Sequence, residues 1–267
     1  MAALRDTSLR ERADTSLRER ADTSLRERAQ AGERLLGVLL RMPAEELVEM
    51  VCVAGHDFVL IDCEHGPADV LALRQHIACA ALHGVPVLVR VGSDDPGMVL
   101  RVLDQGAEGI LAPHVDSADE AAAVVAAAHY PPVGRRGFAT YGRAGRFGTT
   151  DARTHLADLL RRTLVLGMVE SPAGVGAVEE IVATPGLDGI MVGPADLAAA
   201  TGPDDLPVPA AIARVNAAVA AGGKLRVDIV GSSQRASAAF EDGAQIVVYN
   251  LAHALMAHLT ELLVPHA

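Results

Sequence analysis

Short apolar runs alternate with helix-like segments from residue 35 to the end of the chain. Each run is short enough to form a strand buried on both faces, and many of the segments between the runs begin at Pro, Ser or Asp and end at Gly, as helices do. The predicted strands cover residues 35–40, 58–62, 86–91, 109–113, 164–169, 189–193, 225–230 and 246–249. The predicted helices cover residues 44–54, 67–83, 95–105, 117–129, 173–184, 207–222, 232–242 and 251–263.

Eight strands that alternate with helices over about 230 residues are typical of a (β/α)8 TIM barrel. The alternative is a doubly wound open sheet, which usually carries a G-x-G-x-x-G fingerprint after its first strand. No such sequence follows residues 35–40. We therefore predict an α/β fold that consists of one (β/α)8 barrel domain.

A near-perfect octapeptide repeat occupies residues 5–28. Eight residues advance an α-helix by two turns plus about 80°, so Leu9, Leu17 and Leu25 spiral around a helix instead of forming one apolar stripe. A charged arm over residues 1–23, either disordered or a solvated helix, is therefore favoured over a coiled coil, which needs a seven-residue period. The barrel domain is expected to cover residues 24–267.

Composition excludes several classes of partner. The chain has 267 residues, and no apolar run approaches the roughly 20 residues that cross a bilayer. A net charge of −11 and the absence of Trp argue against nucleic acid, which is bound by clustered basic and stacking side chains. The chain has an odd number of cysteines, Cys52, Cys63 and Cys79, and its start lacks a signal-peptide pattern, so we expect a cytoplasmic protein.

Charged side chains follow several of the predicted strands. They are Asp62, Glu64 and His65 after the second strand, Arg90 in the third, Glu170 after the fifth and Asp196 after the sixth. The carboxyl ends of parallel strands meet at one mouth, where ligands bind. Charges in buried strands are rare, so function is favoured over a structural ion pair for Arg90 and Glu170. Asp196 alone is at least as well explained as a carboxylate favoured by a helix dipole.

Glu170 and Asp196 end successive strands, so their oxygens can converge on one ion. Two carboxylates without a Cys or His cluster suit a hard cation that keeps some coordination positions open for water. We therefore expect Mg²⁺ or Mn²⁺ rather than structural zinc, with Co²⁺ as a further candidate. The turn at Gly193 exposes backbone N–H groups that can hold a substrate carboxylate. With Arg90 and a base, this set would stabilise the enolate of a 2-oxo acid.

Five segments occur in an order and spacing that resemble one known family. They are residues 58–67 (FVLIDCEHGP), 86–90 (PVLVR), 103–113 (LDQGAEGILAP), 130–137 (YPPVGRRG) and 186–197 (GLDGIMVGPADL). Over residues 24–263 the chain is similar to the HpcH/HpaI aldolase family of metal-dependent, class II pyruvate aldolases, which have a (β/α)8 barrel. The resemblance implies the same fold and a lyase activity.

The resemblance also implies a role for each matching residue. Glu170 and Asp196 match the metal ligands, and the backbone of Ala195 and Asp196 matches the site of the pyruvyl carboxylate. Arg90 matches the residue that stabilises the developing enolate. His65 matches the general base, and Asp104 matches the carboxylate that raises its basicity. From the residues alone, Asp104 would be assigned to a helix end at the surface.

Two positions depart from the family pattern. Met168 stands where the family usually has a substrate-contacting Gln, and strand periodicity places it on the same face as Glu170. Ala198 follows Leu197 where the family usually has Ser. Both changes leave the metal ligands and the base in place and put the preferred substrate in doubt.

Residues 134–148 form an irregular segment rich in Arg and Gly. A subunit interface or an ordered loop is favoured here over capture of a second substrate carboxylate. The last helix carries leucines at helical spacing and is expected to pack. In the family it is exchanged between subunits, so the resemblance implies a homo-oligomer, a hexamer.

The expected reaction is the reversible cleavage of a 4-hydroxy-2-oxo acid to pyruvate and an aldehyde, through a metal-stabilised pyruvate enolate. His65 would remove the C4 hydroxyl proton through a metal-bound water. The alternatives are a citrate-lyase-like acyl-CoA lyase on the same barrel and a catalytically silent barrel that binds 2-oxo acids.

Overall fold

A computed structural model of the chain describes residues 23–42, 44–67, 69–92 and 95–263. The predicted arm over residues 1–23 therefore lies outside the described residues, except for Thr23. The strands are β1 (Leu35–Leu40), β2 (Phe58–Asp62), β3 (Val87–Arg90), β4 (Gly109–Ala112), β5 (Leu164–Val169), β6 (Gly189–Val192), β7 (Leu225–Val230) and β8 (Ile246–Asn250). All neighbouring strands pair in parallel and in chain order, and β8 pairs with β1. The predicted (β/α)8 barrel is confirmed.

Twelve α-helices flank these strands in the described part of the chain. They are α1 (Leu25–Gln30), α2 (Glu45–Val53), α3 (Val70–Leu82), α4 (Pro96–Asp104), α5 (Ala118–Ala128), α6 (Ala152–Arg162), α7 (Pro172–Gly176), α8 (Val178–Val182), α9 (Pro194–Ala200), α10 (Val208–Ala221), α11 (Ser233–Glu241) and α12 (Leu251–Glu261). A 3-10 turn, Arg143–Gly148, lies between α5 and α6.

Two helical regions differ from the pattern-based expectation. The single helix predicted over residues 173–184 is two short helices, α7 and α8, that meet at Ala177. Glycines at 174 and 176 explain the break, because glycine is a poor helix former. Helix α6 was not predicted, since more than half of its residues are polar and His155 is its only fully buried residue.

Alternation along the strands divides the apolar residues into two clusters. Inward-facing side chains, mostly leucines such as Leu60, Leu88 and Leu166, fill the barrel. Outward-facing side chains such as Val59 and Val89 pack against the surrounding helices. A strand buried on both faces needs a continuous apolar run, which is why the runs predicted the strands closely.

Helix α1 closes the amino end of the barrel. Its capping box joins Ser24 and Glu27, and Leu25 and Ala29 are buried in the inner cluster. Arg28 pairs with Asp57 at the start of β2, at 2.7 Å. With this end closed, the carboxyl ends of the strands form the open mouth of the barrel.

No helix in the described ranges is both long enough and apolar enough to span a membrane. Helix α12 has no buried residue, and Met256 and Leu259 are among its exposed apolar side chains. Its predicted packing on a neighbouring subunit stays a prediction.

Candidate active site

Asp62 and Arg90 form the centre of the mouth. Both face inward at the ends of β2 and β3, where they are paired in register. The Asp62 carboxylate accepts hydrogen bonds from Nε of Arg90 at 2.9 Å and from Nη2 at 2.5 Å. Burial tends to raise the pKa of Asp62, but the two arginine bonds outweigh it and, with a further bond from Arg41, lower the pKa to about 2. Asp62 is therefore ionised near neutral pH, and it fixes the Arg90 guanidinium.

Glu64 and His65 lie beyond Asp62 on the loop after β2. Their backbone N–H groups donate to Oδ1 of Asp62, at 3.1 and 3.2 Å, which ties the loop to the strand. Glu64 Oε2 lies 3.2 Å from Nη1 of Arg90 and 3.8 Å from Nε2 of His65. The imidazole is half-exposed at the mouth. The loop thus brings the predicted base and the predicted enolate-stabilising residue to one carboxylate.

Glu170 is buried directly after β5, with 2% of its surface exposed. Burial raises the pKa of its carboxyl, and the negative charges of Asp196 and Glu64 raise it further, while His114 opposes the shift. Asp196 lies in the first turn of α9 and is exposed. The charge of Asp196 therefore acts on Glu170, the other predicted metal ligand.

Gly193 fixes the direction of the Glu170 side chain. A Cβ atom at this position would lie 2.2 Å from Oε2 of Glu170, so only glycine leaves room for that oxygen. The amide of Gly193 continues the β5–β6 ladder by donating to the carbonyl of Val169, at 3.2 Å. As a result, Oε2 of Glu170 faces the turn that carries Ala195 and Asp196, both exposed.

His114, at the end of β4, was not identified from the sequence. Its backbone N–H donates to Oε1 of Glu170 at 2.8 Å, and its Nδ1 lies 3.3 Å from the same oxygen. Its Nε2 lies 3.5 Å from Oε1 of Glu64. The signal was present, because His114 follows an apolar strand at the same barrel mouth as the other candidates.

Arg41, at the end of β1, was also missed. Its Nε donates to Oδ2 of Asp62 at 2.8 Å, and its side chain is partly exposed. Met168 is buried beneath the mouth, and its sulfur lies 3.9 Å from Nη1 of Arg90. A thioether is a weak acceptor, so Met168 offers this arginine much less than an amide oxygen would.

Asp104 is not brought to His65 within the chain. It is the last residue of α4, and this helix runs back from the mouth to the amino end of the barrel, where β4 begins. There its Oδ1 accepts a 2.6 Å bond from Nη2 of Arg136. Asp104 and His65 therefore lie at opposite ends of the barrel, as expected for a helix-end residue. The role implied by resemblance stays a prediction.

The donor set at the mouth fits a hard divalent cation. Glu170 and Asp196 contribute carboxylate oxygens, and among the described residues no protein donor contacts Oε2 of Glu170. In the same ranges no group of three or more His, Cys, Asp or Glu side chains forms a cage for a metal ion. Two carboxylates with open positions are what Mg²⁺ or Mn²⁺ uses when a substrate or water completes its shell.

Comparison with known proteins identifies the family of the chain. Residues 36–257 match the sequence profile described as HpcH/HpaI aldolase/citrate lyase. The chain belongs to this family. The resemblance drawn from the five motifs is thereby confirmed.

Relatives of this HpcH/HpaI family member include named aldolases. A hydroxypyruvate/pyruvate aldolase of Paraburkholderia phytofirmans is 39% identical over 221 residues, which are 77% of this chain and 84% of the relative. A pyruvate aldolase of Rhizobium etli is 38% identical over 173 residues, which are 65% of this chain and 67% of the relative. The crystal structure of a family protein from Burkholderia cenocepacia superposes with a TM-score of 0.82 at 33% identity. It covers 89% of this chain and 96% of its own.

Proposed function

We propose that this chain is a divalent-metal-dependent aldolase that reversibly cleaves a 4-hydroxy-2-oxo acid to pyruvate and an aldehyde. The observation that carries the proposal is the state of Glu170. This carboxylate is buried beside two further negative charges, and one of its oxygens has no protein donor in the described chain. A bound cation would supply the positive charge that compensates these carboxylates. Relatives named as pyruvate and hydroxypyruvate aldolases support the same reaction class.

Glu170 and Asp196 would hold Mg²⁺ or Mn²⁺, with Co²⁺ as a further candidate. When bound, such an ion polarises a 2-keto group and stabilises the negative charge that develops on it. Backbone N–H groups of the turn formed by Gly193, Ala195 and Asp196 would bind the carboxylate of the oxo acid. The narrow contact between Gly193 and Glu170 keeps that turn against the metal ligand.

Arg90 and His65 would act on the substrate. Asp62 holds the Nε–Nη2 edge of the Arg90 guanidinium, and Nη1 lies toward Glu64 and Met168. From this position it would donate to the oxygen of the pyruvate enolate. His65 is accessible at the mouth and would take the C4 hydroxyl proton as general base. In the synthetic direction it would return that proton.

A lysine Schiff base is not supported as the alternative mechanism. Lys224 is the only lysine in the sequence. It directly precedes β7 at the amino end of the barrel, where its Nζ donates to the carbonyl of Leu187 at 2.6 Å. The mouth therefore has no amine from the described residues that could condense with a 2-oxo acid.

The position of Asp104 bears on assembly. Because it lies at the far end of its own barrel, it can act on a His65 only if it belongs to another copy of the chain. The homo-oligomer implied by the family, a hexamer, would provide such a copy. The exposed apolar residues of α12 would be covered in the same assembly.

The decisive experiment compares the wild type with Glu170→Gln after metal removal and reloading. We expect activity of the wild type only with Mg²⁺ or Mn²⁺, and loss of both activity and metal binding in Glu170→Gln. Turnover by the metal-free enzyme would overturn the proposal. So would trapping of pyruvate on Lys224 by borohydride.

The family description also includes citrate lyase, so an acyl-CoA lyase is the second candidate. Retention of the chain on immobilised CoA would favour it. NMR distinguishes an aldolase from a barrel that only binds 2-oxo acids. Exchange of the methyl protons of pyruvate with solvent, in the presence of added metal, requires a working enolate site.

A further inference from the structure

His114 combines an unusual backbone conformation with two carboxylate contacts at the mouth. Its φ is +53°, in the left-handed region that few residues other than glycine adopt. It is one of only three non-glycine residues with positive φ in the described ranges, and the other two, Arg146 and Phe147, lie in the 3-10 turn away from the mouth. A strained backbone at a site persists when the surrounding contacts require it.

The strained conformation directs two donors to one oxygen. The backbone N–H of His114 donates to Oε1 of Glu170 at 2.8 Å, and Nδ1 lies 3.3 Å from that same oxygen. The other carboxylate oxygen, Oε2, faces Gly193. The two oxygens of Glu170 are thus separated by function, one held by the protein and one left for a ligand.

The imidazole also connects two strands across the mouth. Its Nε2 lies 3.5 Å from Oε1 of Glu64, whose other oxygen contacts Arg90 at 3.2 Å. A single side chain just beyond β4 therefore links the carboxylate that follows β5 to the carboxylate that follows β2. The imidazole is half-exposed, so apolar packing does not account for its position.

We propose that His114 is a positioning residue for the metal ligand Glu170: its amide and imidazole hold Oε1 so that Oε2 points to the cation. The inference rests on the proposed metal site and adds a residue to it. Hydrogen bonds to the carboxylate oxygen that does not face the metal restrict the side chain in advance. The carboxylate then loses fewer orientations when the metal binds.

The test is Mn²⁺ affinity of the full-length protein without substrate, measured by electron paramagnetic resonance and by calorimetry. His114→Ala loses the imidazole and disfavours the left-handed backbone, so its dissociation constant should rise about 10- to 100-fold. Asn tolerates the left-handed region and keeps a side-chain donor. His114→Asn should therefore bind Mn²⁺ about tenfold more tightly than His114→Ala.

His83→Ala is the matched control. His83 also lies near a glutamate, with its Nε2 3.5 Å from Oε1 of Glu49, but it sits at the end of α3 away from the mouth. This variant should bind Mn²⁺ like the wild type. If His114→Ala does not fold, His114→Gly replaces it, because glycine keeps the backbone N–H without strain and removes only the imidazole.

Two results would overturn the inference. One is wild-type Mn²⁺ affinity in His114→Ala. The other is equal loss in His114→Ala and His114→Asn, because a side-chain donor on a left-handed backbone would then not restore the orientation of Glu170. Glu170→Gln separates this inference from the proposed function. If Glu170→Gln abolishes Mn²⁺ binding while His114→Ala leaves it intact, the metal site stands and the positioning role fails.

Discussion

Replacing Gly193 by alanine adds one methyl group at the narrowest contact of the candidate active site. The new Cβ would lie 2.2 Å from Oε2 and 2.8 Å from Cβ of Glu170. Non-bonded carbon atoms pack at about 3.5–4.0 Å, so Glu170 must move by about 1 Å or more. The side chain cannot simply rotate away, because His114 holds Oε1 at 2.8 Å and because its own Cβ is also too close.

We expect Gly193→Ala to lower kcat/KM by about 100-fold, the effect of misplacing a catalytic group by roughly 1 Å. Overpacking should also lower the free energy of unfolding by about 1–3 kcal/mol. The assay is retro-aldol turnover with saturating Mn²⁺, coupled to pyruvate detection. Mn²⁺ affinity and urea denaturation are measured on the same preparation.

Gly231→Ala is the matched control for this substitution. Gly231 follows β7 at the same end of the barrel, and a Cβ there would have no atom within 4 Å. It should change neither turnover nor Mn²⁺ affinity. Wild-type kcat/KM and Mn²⁺ affinity in Gly193→Ala would refute the argument that Gly193 directs Glu170 to the ion.

Three further predictions follow from the contacts of individual residues. Asp62→Asn leaves two arginines without their buried anion, so urea denaturation should show a loss of about 3–5 kcal/mol, and an unchanged midpoint would contradict the pairing. Met168→Gln offers Arg90 an amide oxygen in place of sulfur, so steady-state kinetics should show a changed KM for the oxo acid, while Mn²⁺ affinity stays the same. Burial lowers the pKa of His129 from the ordinary 6.5 to about 4, and nearby Arg26 and Arg136 add to the effect. Below pH 6.5 the unfolded chain therefore binds a proton that the folded chain does not, and stability should fall by about 2 kcal/mol between pH 7 and pH 5. His129→Gln should reduce that slope in urea titrations at the two pH values, and an identical slope would show that His129 is not responsible.

The sequence by itself determined the architecture. Strands buried on both faces require continuous apolar runs, and eight runs that alternate with helical segments indicated a barrel, so both could be predicted from local pattern. The same pattern identified Glu170 and Arg90, because a charge at the end of a buried strand is rare. Helix α6 was not predicted because most of its residues are polar and it buries only His155.

Only the tertiary structure decided which side chains meet. The sequence placed Asp62 and Arg90 on neighbouring strands, but their pairing and the addition of Arg41 depend on the register between β1, β2 and β3. The contact of His114 with Glu170 joins residues 56 positions apart. Asp104 shows the converse. The resemblance pairs it with His65, whereas within one chain the two lie at opposite ends of the barrel, so the pairing stays a prediction. Local pattern determines where an element begins and ends, whereas contacts between elements are set by barrel closure, which no segment specifies alone.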